Sequence, residues 1–159
     1  MTGLGALKVD DAAPDFTLPA IGTDGEQFDV PLAELLVNGP VLLVFYQDDG
    51  MPICTRELQA FSQEHELLAA SGFQVFAINT NGLGSHRKFQ ERDRFPFPLI
   101  SDFYGDTVKA YGMWDEDEGK SRRGVVAISE DGKVSYVLPH FNPGSVAVFE
   151  GIFRELGMA

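Results

Sequence analysis

The chain has 159 residues, a mass of 17.4 kDa and 44% hydrophobic residues, enough for one domain over residues 1–159 to bury a sizeable core and too little for two of ordinary size. Its 24 acidic against 12 basic residues give a formal charge of −12, which disfavours nucleic acid and anionic membrane as partners. A single cysteine and three scattered histidines, His65, His86 and His140, exclude an internal disulfide and argue against a metal cage, so neither metal nor cofactor is expected.

In chain order, residues 15–18 and 26–30 flank the turn-rich Ile21-Gly-Thr-Asp-Gly25 and read as an N-terminal hairpin. Residues 41–46 are continuous and apolar, as in a fully buried strand. Pro52 suits a first helical position, and apolar residues then recur at helical spacing until Ser71-Gly72. Residues 73–79 resume a strand pattern, which makes a βαβ unit with two parallel strands and a right-handed crossover. Ser85 reads as the cap of a helix to about Arg94, residues 99–101 as a short strand, and residues 106–111 as a short helix. Residues 125–129 and 134–138 flank Glu130-Asp-Gly-Lys133, an antiparallel hairpin at the sheet edge. Ser145 would cap a closing helix through Leu156, with Val146, Phe149, Ile152, Phe153 and Leu156 inward. The run Asp115-Glu-Asp-Glu-Gly-Lys120 reads as solvated surface. No apolar run reaches the roughly 18 residues that cross a membrane. The N-terminus lacks the charged and apolar regions of a secretory signal, so the expected address is cytoplasmic.

Cys54 falls where the first strand of the βαβ unit gives way to its helix, the edge at which open α/β sheets form sites. Backbone N–H groups of a helix's first turn lack intrahelical partners and carry the positive end of the macrodipole. A thiol there titrates at about 3.5–7.5 rather than about 8.5, so Cys54 is expected below the free-thiol value, with Asp48 and Asp49 opposing. The same residue also opens the stripe Cys54, Leu58, Phe61, His65, Leu68, which fits the core face of a helix equally well.

Three stretches carry a resemblance: Ala13-Pro-Asp-Phe-Thr-Leu18, Phe45-Tyr46 through Cys54-Thr-Arg-Glu57, and Arg123-Gly-Val-Val-Ala-Ile-Ser-Glu-Asp-Gly-Lys133. With the element order, they make the chain similar to the peroxiredoxins, in particular the bacterioferritin-comigratory-protein-like branch, over nearly its whole length. The resemblance implies an α/β, thioredoxin-like fold with a central mixed sheet flanked by helices and an N-terminal hairpin extension. It implies that Cys54 is the peroxidatic nucleophile, that Arg123 is its guanidinium partner, with Arg122 the alternative one residue away, and that Glu57 orients the arginine. Taken alone, Glu57 reads equally as an exposed helix carboxylate.

Two positions depart from the family pattern Pro-x-x-x-Thr/Ser-x-x-Cys: Gln47 stands at the proline and Met51 at the threonine. In the family that hydroxyl hydrogen-bonds the peroxide, whereas a thioether cannot donate. Either Gln47 supplies an amide N–H instead, or Met51 opens an apolar pocket for organic peroxides. Gln59 occupies the place of the resolving cysteine found in many members, so a Cys54 sulfenic acid would need an external thiol such as glutathione, thioredoxin or a glutaredoxin, or a second subunit in a homodimer. Met51-Pro-Ile-Cys54 lacks the leading cysteine of a Cys-x-x-Cys, which excludes dithiol exchange. The leading expectation is a one-cysteine thiol peroxidase for hydrogen peroxide or organic hydroperoxides. The alternatives are a redox sensor or adaptor forming mixed disulfides, and a scaffold with a structural cysteine. Trp114 reads as a core aromatic, with an active-site wall or a subunit contact as the other options.

Overall fold

The computed structural model describes residues 7–142 and 146–156. Seven strands form one mixed sheet in the order β2 (Gln27–Pro31), β1 (Thr17–Ile21), β5 (Leu99–Ser101), β4 (Gln74–Asn79), β3 (Val41–Phe45), β8 (Gly124–Ile128) and β9 (Val134–Leu138). The interior strand β3 (Val41–Phe45) is wholly buried because it has a neighbour on each side and packed side chains on both faces. It pairs parallel with β4 (Gln74–Asn79) and antiparallel with β8 (Gly124–Ile128). Leu42, Val44 and Tyr46 face a core that holds Leu58, Phe61, Leu68, Phe89 and Ile152, while Val41, Leu43 and Phe45 face a second core that holds Leu32, Val108 and Tyr111. This alternation is the two-residue period of a strand.

The N-terminal hairpin is β1 (Thr17–Ile21) with β2 (Gln27–Pro31), so its first strand lies later than the expected residues 15–18. Pro19 looks like a stop, but β5 (Leu99–Ser101) pairs with β1 only at Ala20 and Ile21, leaving Pro19 where the strand has a single neighbour and its missing donor is tolerated. The helical stretch after Pro52 divides into α2 (Pro52–Gln63) and α3 (His65–Ala70), broken at Glu64, whose backbone leaves helical geometry. The stripe survives the break: Cys54, Leu58, Phe61 and Leu68 are all buried, and the His65 ring lies 6.3 Å from Phe97. Between β2 and β3 lies the single turn α1 (Leu32–Leu35).

The helix α4 (Leu83–Asp93) starts two residues before the expected Ser85, with Gly82 at its N-cap. Ser85 is inside the first turn, and its hydroxyl is turned to the Asp49 carboxylate at 2.7 Å. The short helix α5 (Asp106–Ala110) and the edge pair β8 and β9 (Val134–Leu138) fall where the sequence places them. The charged loop is bounded by the ribbon β6 (Trp114–Asp115) and β7 (Lys120–Ser121). Its middle is exposed, but Lys120 pairs with Asp48 and is not merely solvated. The closing helix α6 (Val146–Glu155) buries Ile152 and packs Phe153 and Leu156 on the first core; the Ser145 cap and the inward Val146 and Phe149 side chains lie outside the described residues and side chains. No helix among the described residues is long and apolar enough to cross a membrane.

Candidate active site

The register of the sheet sets the site. Phe45, the last residue of β3, stands opposite Gly124, the first of β8, so the chain leaving β3 and the residue entering β8 meet at one edge. Gly124 is required for that approach: a Cβ there would lie 2.5 Å from the Met113 sulfur and 2.8 Å from the Leu138 carbonyl. Gly50, at φ +79, turns the connecting loop into α2 in a conformation glycine adopts without steric cost. Met51 is the N-cap and Pro52 the first helical residue, so Cys54 is the third.

Cys54 is fully buried, and both sequence readings of it hold at once: it lies in a helix's first turn and in the core stripe. Its thiol is pushed up rather than down. Burial is the largest influence; the backbone amides of Asp48 and Gln47 and the Arg123 guanidinium favour the thiolate, and the Glu57 carboxylate disfavours it. The expectation of a depressed value is thus corrected, because a helix N-terminus and one guanidinium do not outweigh loss of water in this pocket. The opposition expected from Asp48 and Asp49 is also redirected. The Asp48 carboxylate pairs with Lys120, the Asp49 carboxylate is engaged by His86, Tyr46 and Ser85, and the Asp48 amide helps the thiolate.

Arg123 donates through Nη1 to Gln47 Oε1 at 2.6 Å. Arg122 turns elsewhere, its Nη2 donating to the Trp114 carbonyl at 3.3 Å. Gln47 therefore holds the arginine and spends its amide oxygen doing so. Glu57 is no exposed helix carboxylate: it is fully buried, and neither oxygen has a hydrogen-bond partner. Burial drives its carboxyl well above the usual range, against the pull of Arg123. The hydrogen bond that holds Arg123 is accepted by Gln47, and Glu57 acts on the guanidinium through charge. Met51 Sδ lies 3.8 Å from Cys54 Sγ. Trp114 is half-buried against the second core with the Lys109 ammonium 4.6 Å from its ring centroid.

One cluster escaped the sequence reading. His86 is fully buried, with Nδ1 2.6 Å from Asp49 Oδ2 and Nε2 2.9 Å from the Ile100 carbonyl. Both ring nitrogens lie within hydrogen-bond distance of an oxygen, and His86 is the principal partner that lowers the Asp49 carboxyl. Tyr46 donates to Asp49 Oδ1 at 2.6 Å, and Asn81 Oδ1 accepts from the Asp49 amide at 2.8 Å. The loop before Cys54 is thereby fixed to α4 and to the end of β4. The available signal was a histidine three residues before Phe89 on the buried face of a helix, beside no partner in sequence.

The geometry is that of a buried thiol and a guanidinium at a strand-to-helix junction, and known proteins agree. The AhpC/TSA family model matches residues 9–137. This chain belongs to the AhpC/TSA family. It is 31% identical over 140 residues to the putative peroxiredoxin bcp of Coxiella burnetii, covering 84% of this chain and 89% of that one. It is 32% identical over 141 residues to peroxiredoxin Bcp of Escherichia coli strain K12, covering 85% and 87%. Peroxidoxin BcpB of Mycobacterium tuberculosis has a solved structure that superposes with a TM-score of 0.78 at 29% identity, covering 96% of each chain. The reduced 2-Cys peroxiredoxin of Plasmodium vivax shares the fold, with a TM-score of 0.84 at 23% identity over 94% of each chain. The AhpC/TSA chain described here is a thiol-dependent peroxidase of peroxiredoxin type with a thioredoxin-like fold.

A test of the charge balance follows from Glu57. Glu57→Gln removes a carboxylate that raises the thiol, so the midpoint of Cys54 alkylation against pH moves down relative to wild type. A carboxyl whose folded value is raised contributes stability below its unfolded value of about 4.3 and loses it as pH rises. Wild type therefore loses stability relative to Glu57→Gln as pH climbs from that point. An unchanged alkylation midpoint would remove Glu57 from the thiol's electrostatics.

Proposed function

We propose that the chain reduces hydrogen peroxide or organic hydroperoxides by a one-cysteine cycle at Cys54. The thiolate attacks one peroxide oxygen, the O–O bond breaks, and the other oxygen leaves as hydroxide or alkoxide and takes up the proton the thiol released, giving water or an alcohol, while sulfur gives up two electrons and becomes a sulfenic acid. An external thiol, from glutathione, thioredoxin or a glutaredoxin, condenses with the sulfenic acid, and a second thiol releases Cys54. One observation supports the reading: the chain's single cysteine lies in the first turn of α2 at the β3–β8 edge where Gln47 holds the Arg123 guanidinium.

Arg123 is the donor to the departing oxygen, a task suited to a fixed fork of N–H groups. Gln47 positions Arg123, and Met51 forms the wall against the thiol. The working address is the cytoplasm, with a homodimer as the assembly that could place a second thiol near Cys54. A mixed-disulfide sensor is the second reading, favoured by the upward push that burial gives the thiol.

Stopped-flow oxidation with sulfenic-acid trapping tests the proposal. Wild type is expected to react faster than a free thiol and to consume peroxide repeatedly with a thiol donor. Cys54→Ser should do neither, and Arg123→Lys should react more slowly, by about tenfold or more, since it keeps the charge but loses the fork. Trapping without turnover would favour the sensor.

A further inference from the structure

A second sulfur lies in contact with the reactive thiol. Met51 Sδ lies 3.8 Å from Cys54 Sγ, and Met51 is half-buried where Cys54 is closed from solvent. A peroxide that reaches the thiol therefore passes within contact distance of the thioether. Arg123, which acts on the same thiol, keeps its Nε buried without a hydrogen-bond partner, a donor that no protein group occupies. A thioether needs no deprotonation before it attacks, so the burial that disfavours a thiolate leaves it reactive.

We propose that Met51 is a second peroxide-reactive sulfur of this site, converted to methionine sulfoxide by the hydroperoxide admitted to Cys54. A lone pair on Sδ attacks the nearer peroxide oxygen and the O–O bond breaks. The far oxygen departs as hydroxide or alkoxide with Arg123 donating to it. The proton of the transferred oxygen ends on that leaving group, giving water or an alcohol. Sulfur loses two electrons and the peroxide gains them, with no other reactant. The product carries a strong acceptor oxygen where the thioether had almost none, and sulfoxide reductases can reverse it. Entry of peroxide and Arg123 as donor rest on the peroxidase reading; reaction at Cys54 is not required.

The chain favours a direct test, because Lys8, Arg56, Lys109, Lys120 and Arg154 put each of its four methionines on a different tryptic peptide. Wild type and Cys54→Ser are treated with limiting hydrogen peroxide or cumene hydroperoxide, and the oxygen gained by each peptide is followed by mass spectrometry, with fragmentation of peptide 9–56 placing it on Met51 or on Cys54, which share that peptide. Met51 is expected to oxidise at least about 100-fold faster than N-acetylmethionine amide in the same tube, the low end of what a positioned proton donor supplies. That advantage should shrink in Arg123→Lys and vanish in urea. A Met51 rate at or below that of the free amide in both proteins would overturn the proposal. Sulfenic-acid trapping at Cys54 in the same wild-type digest reads the peroxidase proposal separately, so either can fail alone.

Discussion

Met51→Thr should accelerate oxidation of Cys54 by hydrogen peroxide by about 100- to 1,000-fold, the scale of one restored hydrogen bond to an oxygen that gains charge in the transition state. The side chain at position 51 is in contact with the thiol, so a hydroxyl there faces the reacting atoms. The substitution also changes the helix. Met51 is the N-cap of α2 and makes no side-chain cap; a threonine hydroxyl can accept from the orphan amides of the first turn, adding about 1 kcal/mol of stability. The two effects separate by measurement, since the cap alone raises the unfolding midpoint and leaves the oxidation rate unchanged. If Met51 instead shapes a pocket for bulky substrates, the preference for cumene hydroperoxide over hydrogen peroxide should fall in the variant, a lost apolar contact being worth roughly 1 to 3 kcal/mol of discrimination. Equal rates for wild type and variant with both peroxides would mean that position 51 does not touch the substrate.

The fold was largely legible because its signals were local. Continuous apolar residues marked β3, Pro52 marked the first turn of α2, and Glu-Asp-Gly-Lys marked the β8–β9 turn. The strand edge carrying Cys54 followed from a βαβ unit alone. What the sequence hid depends on the third dimension. The upward shift of the thiol arises from packing around Cys54, which spacing cannot report, and the helix terminus pointed the other way. Gln47 was visible as a departure, but its hold on Arg123 needs the antiparallel pairing of β3 with β8 that brings residues 76 positions apart together. Ser85 resembled a cap because its residue type fits one; the carboxylate 36 positions away that it meets had no local signature.

The buried pair of Asp49 and His86 was hidden for the same reason, and its removal carries the largest expected loss of stability. His86→Ala removes the principal partner of the Asp49 side chain, which is 5% exposed in the wild-type fold, and leaving a buried charge without its partner costs about 3–5 kcal/mol, a large part of the 5–15 kcal/mol that holds an ordinary domain. The pH dependence distinguishes this from a simple cavity. Burial raises the Asp49 carboxyl, but hydrogen bonds from His86, Tyr46 and Ser85, with the charge of His86, outweigh it and hold the group below its ordinary value. A depressed carboxyl contributes stability above its unfolded value of about 3.9 and loses it as pH falls through the folded one. In His86→Ala the principal lowering influences are gone, so acid protonates Asp49 more readily and relieves the buried charge. The gap in unfolding free energy between wild type and His86→Ala, read from urea titrations, should therefore be widest near neutrality and narrow as pH approaches the carboxylate range. Tyr46→Phe, which removes one donor to the same carboxylate, should cost about 1.5–3 kcal/mol. A gap that stays constant with pH would assign the loss to the missing ring alone and leave the loop before Cys54 held by packing rather than by charge.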